Sequence, residues 1–156
     1  MRPFFLEPTE HDGLVAAVSH LPYLLASALM ATASSQTSWR EMAALAAGGF
    51  ATMTRLVDGE PEMYADICHT NRDAVLYQLD RFAAELADLR AAVAAGDESL
   101  HERFRGARDR HQAWLHERTN PASDMPPVEE LKGPNLFFPQ SWQDAFRGKR
   151  RDDERP

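Results

Sequence analysis

The stretch RDAVLYQLDRFAAELADLRAAV, Arg72 to Val93, decides the fold class, because its apolar residues Val75, Leu79, Phe82, Leu86, Leu89 and Val93 recur at alternating spacings of four and three. That spacing lines one narrow face of an α-helix and makes a seam for antiparallel or coiled-coil-like packing. Immediately downstream, Gly96-Asp97 ends this helix and caps another, in which Leu100, Phe104, Ala107, His111 and Trp114 repeat the spacing. The two segments read as a helical hairpin. The charged residues Glu85, Asp88, Arg90, Glu102, Arg105 and Arg108 read as solvated faces.

Upstream, Asn71 is suited to cap the long helix, and Asp58-Gly59-Glu60-Pro61 is a turn that leads into a short helix with Pro61 in its first turn. From Ser38-Trp39 onward, EMAALAAGGFATMTRLV is helical in propensity except at Gly48-Gly49. Two such glycines cost about 1 kcal/mol each relative to alanine. The cost predicts a close approach to that backbone by a ligand or, more commonly, by another helix.

Farther upstream lies HDGLVAAVSHLPYLLASAL, His11 to Leu29. Thr9 and Asp12 resemble a capping box, so the helix is expected to begin near Glu10 and to fade through Ala33-Ser34-Ser35-Gln36. His11, Ser19 and His20 interrupt its apolar run, and Pro22 both lacks an N–H and clashes with the carbonyl of Val18. A kink that opens the backbone beside Ser19 follows. No strand-like alternation of useful length occurs, and the fold class is all-α.

At the other end, Asn120-Pro121, Pro126-Pro127, Gly133-Pro134 and Pro139 forbid a long regular element, yet Leu136, Phe137, Phe138, Trp142 and Phe146 are too apolar for a free tail. The organisation expected is a helical domain over 1–118, an extended Pro/aromatic arm over 119–146 that docks on it, and a disordered tail over 147–156. No internal repeat is visible.

With 156 residues, 44% of them hydrophobic, the chain is long enough to bury one core. Its net charge of −7 argues against nucleic acid or an anionic membrane as partner, since both need clustered cations. The longest apolar run, Leu21 to Ala33, is too short for a bilayer, and MRPFFLEPTEHD lacks the apolar segment of a signal peptide. One cysteine, Cys68, forms no intrachain disulfide and fits a reducing compartment; a cytoplasmic location is expected. No metal site is expected: no pair among His11, His20 and His69 has helical ligand spacing, and His111 and His116 miss one face. Gly48-Gly49 is not a phosphate loop, lacking a flanking strand and a third glycine.

Four groups carry chemistry. His11 sits at a helix N-terminus, where the dipole favours its neutral form, while Asp12 beside it serves the helix start. Ser19 and His20 are adjacent and point about 100° apart, so they cannot both face one ligand squarely. Tyr23 shares a face with Ser19 and could donate a hydrogen bond, although a tyrosine at such a position is more often core. Arg55, at the end of GGFATMTR, needs a carboxylate partner, and Asp58 or Glu62 is the simplest one.

In order and spacing, an HD pair, SHLP, GGF, TR and an Asn that opens a long helix resemble the C-terminal helical domain of prephenate and arogenate dehydrogenases, oxidoreductases of tyrosine biosynthesis. The match runs roughly from Thr9 to Trp114. It implies a helical bundle like the C-terminal domain of 6-phosphogluconate-dehydrogenase-like enzymes, serving as an intertwined homodimer and a substrate-binding domain. His11, Ser19, Gly48, Gly49 and Arg55 match the family's substrate-side positions, with Arg55 on a carboxylate of a prephenate-like dianion. Tyr23, Thr52 and Tyr64 stand where His, Asp and Trp are frequent, and Tyr23 and Tyr64 join the substrate-binding set. The paired loss of His and Asp avoids leaving one buried charge alone. These departures leave prephenate, arogenate and related cyclohexadienyl compounds all open.

The family's NAD- or NADP-binding Rossmann domain and its catalytic histidine have no counterpart before Thr9. The chain is therefore expected to bind no cofactor by itself, to hold no catalytic residue, and to be inactive until it meets a Rossmann domain in cis or in trans. The alternative is a noncatalytic helical dimerisation module that has lost ligand binding.

Overall fold

The structure, a computed structural model, describes residues 6–119, and no strand occurs among them. Of the arm expected over 119–146, Thr119 instead closes α7, while residues 120–146 and the tail over 147–156 lie outside the described residues. The elements are α1 (Pro8–Val15), a π-helical turn (Ala16–His20), α2 (Leu21–Ser34), α3 (Trp39–Leu45), α4 (Gly48–Thr54), a 3₁₀ turn (Arg55–Asp58), α5 (Pro61–Thr70), α6 (Arg72–Ala95) and α7 (Glu98–Thr119). Two compact units divide at Arg90/Ala91, within α6.

The first helix starts earlier than Thr9–Asp12 suggested, and the capping box does not form. Pro8 takes the first helical position, where a missing N–H costs nothing, and the extended Glu7 caps it with its carbonyl alone. That oxygen accepts from Glu10 N at 3.0 Å and His11 N at 2.9 Å. The break expected from Pro22 is a π turn. Leu21 N–H donates to Ala16 O, five residues back, so the ladder widens by one residue just before the proline that would have struck the Val18 carbonyl.

From Pro8 to Ser34 the backbone is helical for 27 residues, longer than the Leu21–Ala33 run and, by length and composition alone, enough to cross a membrane. In the fold this run is the central element of the first unit. Its α2 packs against α3, α4 and the 3₁₀ turn, while the π turn packs against α5. Ala16, Ala74 and Val75 are buried, with Leu24, Cys68 and Leu79 packed around them. Small residues at the centre let helices approach closely. No large side chain is fully buried among the described residues, whereas Val18 (78% exposed), Leu45 (83%) and Met53 (62%) face outward.

The second helical region breaks before its glycines rather than at them. Ala46 and Ala47 are extended, Gly48 opens α4, and the Trp39 and Phe50 rings lie tilted at 50° to each other with centroids 6.1 Å apart. No atom lies within 4 Å of where a Cβ would stand on Gly48 or Gly49. The expected crossing helix is therefore not found there among the described residues.

Asn71 precedes α6, and its carbonyl accepts from Val75 N at 3.0 Å. On the seam of α6, Val75 is buried, but Phe82 (36% exposed) and Leu86 (54%) are not. In the second unit, Gly96 takes the left-handed conformation at φ 63°, and Asp97 caps α7 by accepting from Ser99 N at 2.9 Å, as the Gly-Asp pair predicts. Phe104, Trp114 and Leu115 on α7 are exposed.

Candidate functional site

The expected site residues lie on α1, the π turn, α2, α4, the 3₁₀ turn and α5; α2 packs against α4 and the 3₁₀ turn, and the π turn packs against α1, α2 and α5. Tyr23, in the first turn of α2, stacks face to face on Tyr64 of α5, with ring centroids 3.5 Å apart and planes within 6°. Tyr64 also lies against Gly59, where a Cβ would stand 2.7 Å from Tyr64 Cε2. Only a residue without a side chain lets the backbone leaving the 3₁₀ turn run so close to that ring. Tyr23, Tyr64 and Gly59 thus tie α2 and α5 to the turn that begins with Arg55. Two of the three positions at which the sequence departs from its relatives' pattern are in contact. Thr52 is exposed on α4 and touches neither.

Arg55 is exposed, and the ion pair expected with Asp58 or Glu62 does not form; among the described residues its guanidinium has no anionic partner. The cation is left free to meet an external anion.

His11 lies exposed near the start of α1, its Nδ1 3.2 Å from Asp12 Oδ1. Ser19 is exposed within the π turn, and its neighbour His20 is buried, at 9% exposure. The expected divergence of that pair is what the structure shows. No hydrogen bond or ring contact joins His11, Ser19, Arg55 and Gly48–Gly49 to one another among the described residues.

Sequence reasoning missed a contact of long separation. The Asn71 side chain reaches back from the head of α6, its Nδ2 donating to Asp12 O at 2.8 Å and lying 3.4 Å from His20 Nδ1. Asn71 was legible only as a helix cap, and His20 only as an interruption of an apolar face. The usable signal was their joint presence: a buried polar side chain needs a partner.

Burial pulls the His20 pKa below the ordinary imidazole value of 6.5, Asp12 opposes the shift, and His11 adds to it. The folded pKa is thus below the unfolded one, so the unfolded chain binds more protons between the two. Stability from this group is complete above the unfolded value and is lost as pH falls through the folded value. The melting temperature is expected to drop as pH falls below the ordinary imidazole value of 6.5, with a shallower drop in His20→Gln. Parallel slopes for both proteins in thermal melts would contradict this.

Among the described residues no group of three His, Cys, Asp or Glu side chains could hold a metal ion. There is also no strand among them to carry a glycine-rich phosphate turn, so these residues do not fit NAD or NADP.

A family model described as prephenate dehydrogenase, dimerization domain, matches residues 7–106. The chain is 34% identical over 106 residues to a prephenate dehydrogenase of Bacillus subtilis (strain 168), covering 67% of this chain and 29% of that protein. It is 37% identical over 98 residues to a cyclohexadienyl dehydrogenase of Zymomonas mobilis, covering 61% of this chain and 33% of the relative. The chain therefore spans about a third of the length of these curated relatives. Among solved structures, prephenate dehydrogenase from A. aeolicus, in complex with hydroxyphenyl propionate and NAD+, superposes with TM-score 0.65 at 27% identity, covering 70% of this chain and 39% of that one. Arogenate dehydrogenase from Synechocystis superposes with TM-score 0.69 at 23% identity, covering 73% and 42%, and shares the fold.

Proposed function

Because the chain belongs to the prephenate dehydrogenase family, through its dimerization domain, we propose that it is the substrate-binding and dimerising part of a prephenate- or arogenate-type dehydrogenase. In this reading it serves tyrosine biosynthesis in the cytoplasm. The observation that carries the reading is the Arg55 guanidinium, which has no anionic partner among the described residues and sits on a turn packed against α2, the helix that carries Tyr23. A guanidinium fork matches a carboxylate in two parallel hydrogen bonds, and a cyclohexadienyl dianion offers both a carboxylate and a flat ring. His11, Ser19, Tyr23, Gly48, Gly49, Arg55 and Tyr64 are the residues assigned to it.

Oxidative decarboxylation of such a substrate needs a nicotinamide held against its ring. A dinucleotide-binding domain must therefore meet this one, in the same polypeptide or in another, and NAD or NADP belongs to that partner. What these residues contribute is binding, orientation and assembly. The self-association is a homodimer, supported by the exposed seam of α6.

Mixing the chain with a family Rossmann domain, prephenate and NAD or NADP is expected to yield nicotinamide reduction that neither part gives alone. Absence of any gain, with the complex confirmed by sedimentation, would overturn the reading. A second reading, a dimerisation module without ligand binding, is favoured by the Tyr23–Tyr64 stack, since each ring already covers one face of the other. Calorimetry separates the two: heat on adding prephenate, arogenate or tyrosine supports a retained pocket.

A further inference from the structure

Asn71 stands between two acceptors, and this fixes more than its own position. The Asp12 carbonyl 2.8 Å away can only accept, so the atom facing it must be the amide NH2, whatever orientation the amide would otherwise prefer. One of its hydrogens goes to that carbonyl, and the other is directed at His20 Nδ1, 3.4 Å away. A nitrogen that receives a hydrogen bond cannot carry the ring's only proton. Rotating the amide to receive a proton from Nδ1 would set its oxygen against the Asp12 oxygen, an acceptor against an acceptor.

The other ring nitrogen, Nε2, has no hydrogen-bond partner among the described residues, yet no buried side-chain nitrogen or oxygen there goes unsatisfied. Nε2 is therefore not sealed off. It lies on the π turn, between the exposed Ser19 and α2, and π turns place side chains where a regular helix cannot.

From this geometry we infer that Asn71 is a positioning residue that holds neutral His20 in its Nε2–H form, giving the π turn a fixed hydrogen-bond donor for an oxygen acceptor of the ligand. The tautomer half depends on the Asn71 contacts alone, and the ligand half rests on the proposed function. Burial disfavours the charged ring most, Asp12 favours it, and His11 opposes it.

The full chain labelled with 15N-histidine, at about pH 7.5 where His20 is neutral, is the sample for long-range proton–nitrogen correlation. The wild type is expected to show a proton on Nε2 and a bare Nδ1. Asn71→Asp, which puts an acceptor beside Nδ1, is expected to move the proton to Nδ1 or to add a second one, and Asn71→Leu to give a mixture of tautomers. A wild-type ring protonated at Nδ1 overturns the inference independently of any variant, and so does an unchanged pattern in every folded variant. Titration with prephenate is then expected to shift the His20 Nε2–H proton along the saturation curve seen by calorimetry. If prephenate binds and that proton does not move, the donor role is wrong. If prephenate does not bind while the tautomer pattern holds, the proposed function fails and the lock stands.

Discussion

Arg55→Ala is expected to weaken prephenate binding about a hundredfold while leaving the thermal stability within roughly 0.5 kcal/mol of wild type. The first figure follows from removing two charge-assisted hydrogen bonds, together about 3 kcal/mol after the carboxylate returns to water. The second follows from the exposure of Arg55 and its lack of an ion pair among the described residues. Arg55→Lys keeps the charge but offers a single ammonium in place of a planar fork, so it should recover only part of the affinity. Calorimetry on the three proteins measures this. Equal affinities for wild type and Arg55→Ala would remove Arg55 from the site.

Leu86→Glu is expected to convert a dimer into a monomer at micromolar concentration. Leu86 sits on the α6 seam between Phe82 and Leu89, and 54% of it is exposed in the isolated chain. A carboxylate placed in an apolar contact between two copies loses its hydration without a partner, at a cost of several kcal/mol, while the same carboxylate on a lone monomer stays in water. The control is Ala84→Glu, exposed and off the seam, which should leave the dimer intact. Sedimentation velocity distinguishes the outcomes, and a wild-type chain that sediments as a compact monomer would end the claim. The two variants read different properties: Arg55→Ala should remain a dimer, and Leu86→Glu tests the seam without touching Arg55.

The fold class was legible because the α6 and α7 segments repeat their apolar residues with helical spacing and are punctuated by Gly96-Asp97, whose conformation and cap are local matters. Family membership was legible too, since HD, SHLP, GGF and TR are written in consecutive residues. Local rules failed where two competed for one position. Thr9 and Asp12 looked like a capping box, but Pro8 had already fixed the first turn. The glycine pair was expected to meet another helix or a ligand, yet the chain became extended at Ala46–Ala47 and no other helix covers those glycines among the described residues. Arg55 was expected to pair with Asp58 or Glu62, and neither ion pair forms among the described residues. The link from Asn71 to Asp12 and His20 was illegible for another reason. It joins residues 59 and 51 positions apart, and no spacing rule reaches that far.

The π turn has a consequence for the register of the gene. An α-helix advances about 100° per residue, so one extra residue in a single turn rotates everything before it by that angle relative to everything after it. The helix from Pro8 to Val15 therefore meets Asn71 in a rotational phase set by the residue count between Ala16 and His20. A codon lost in that interval would leave an uninterrupted helix of good sequence, and it would swing the Asp12 carbonyl away from the amide that holds it. Substitution is tolerated or not according to the side chain, whereas here the spacing itself is the inherited property.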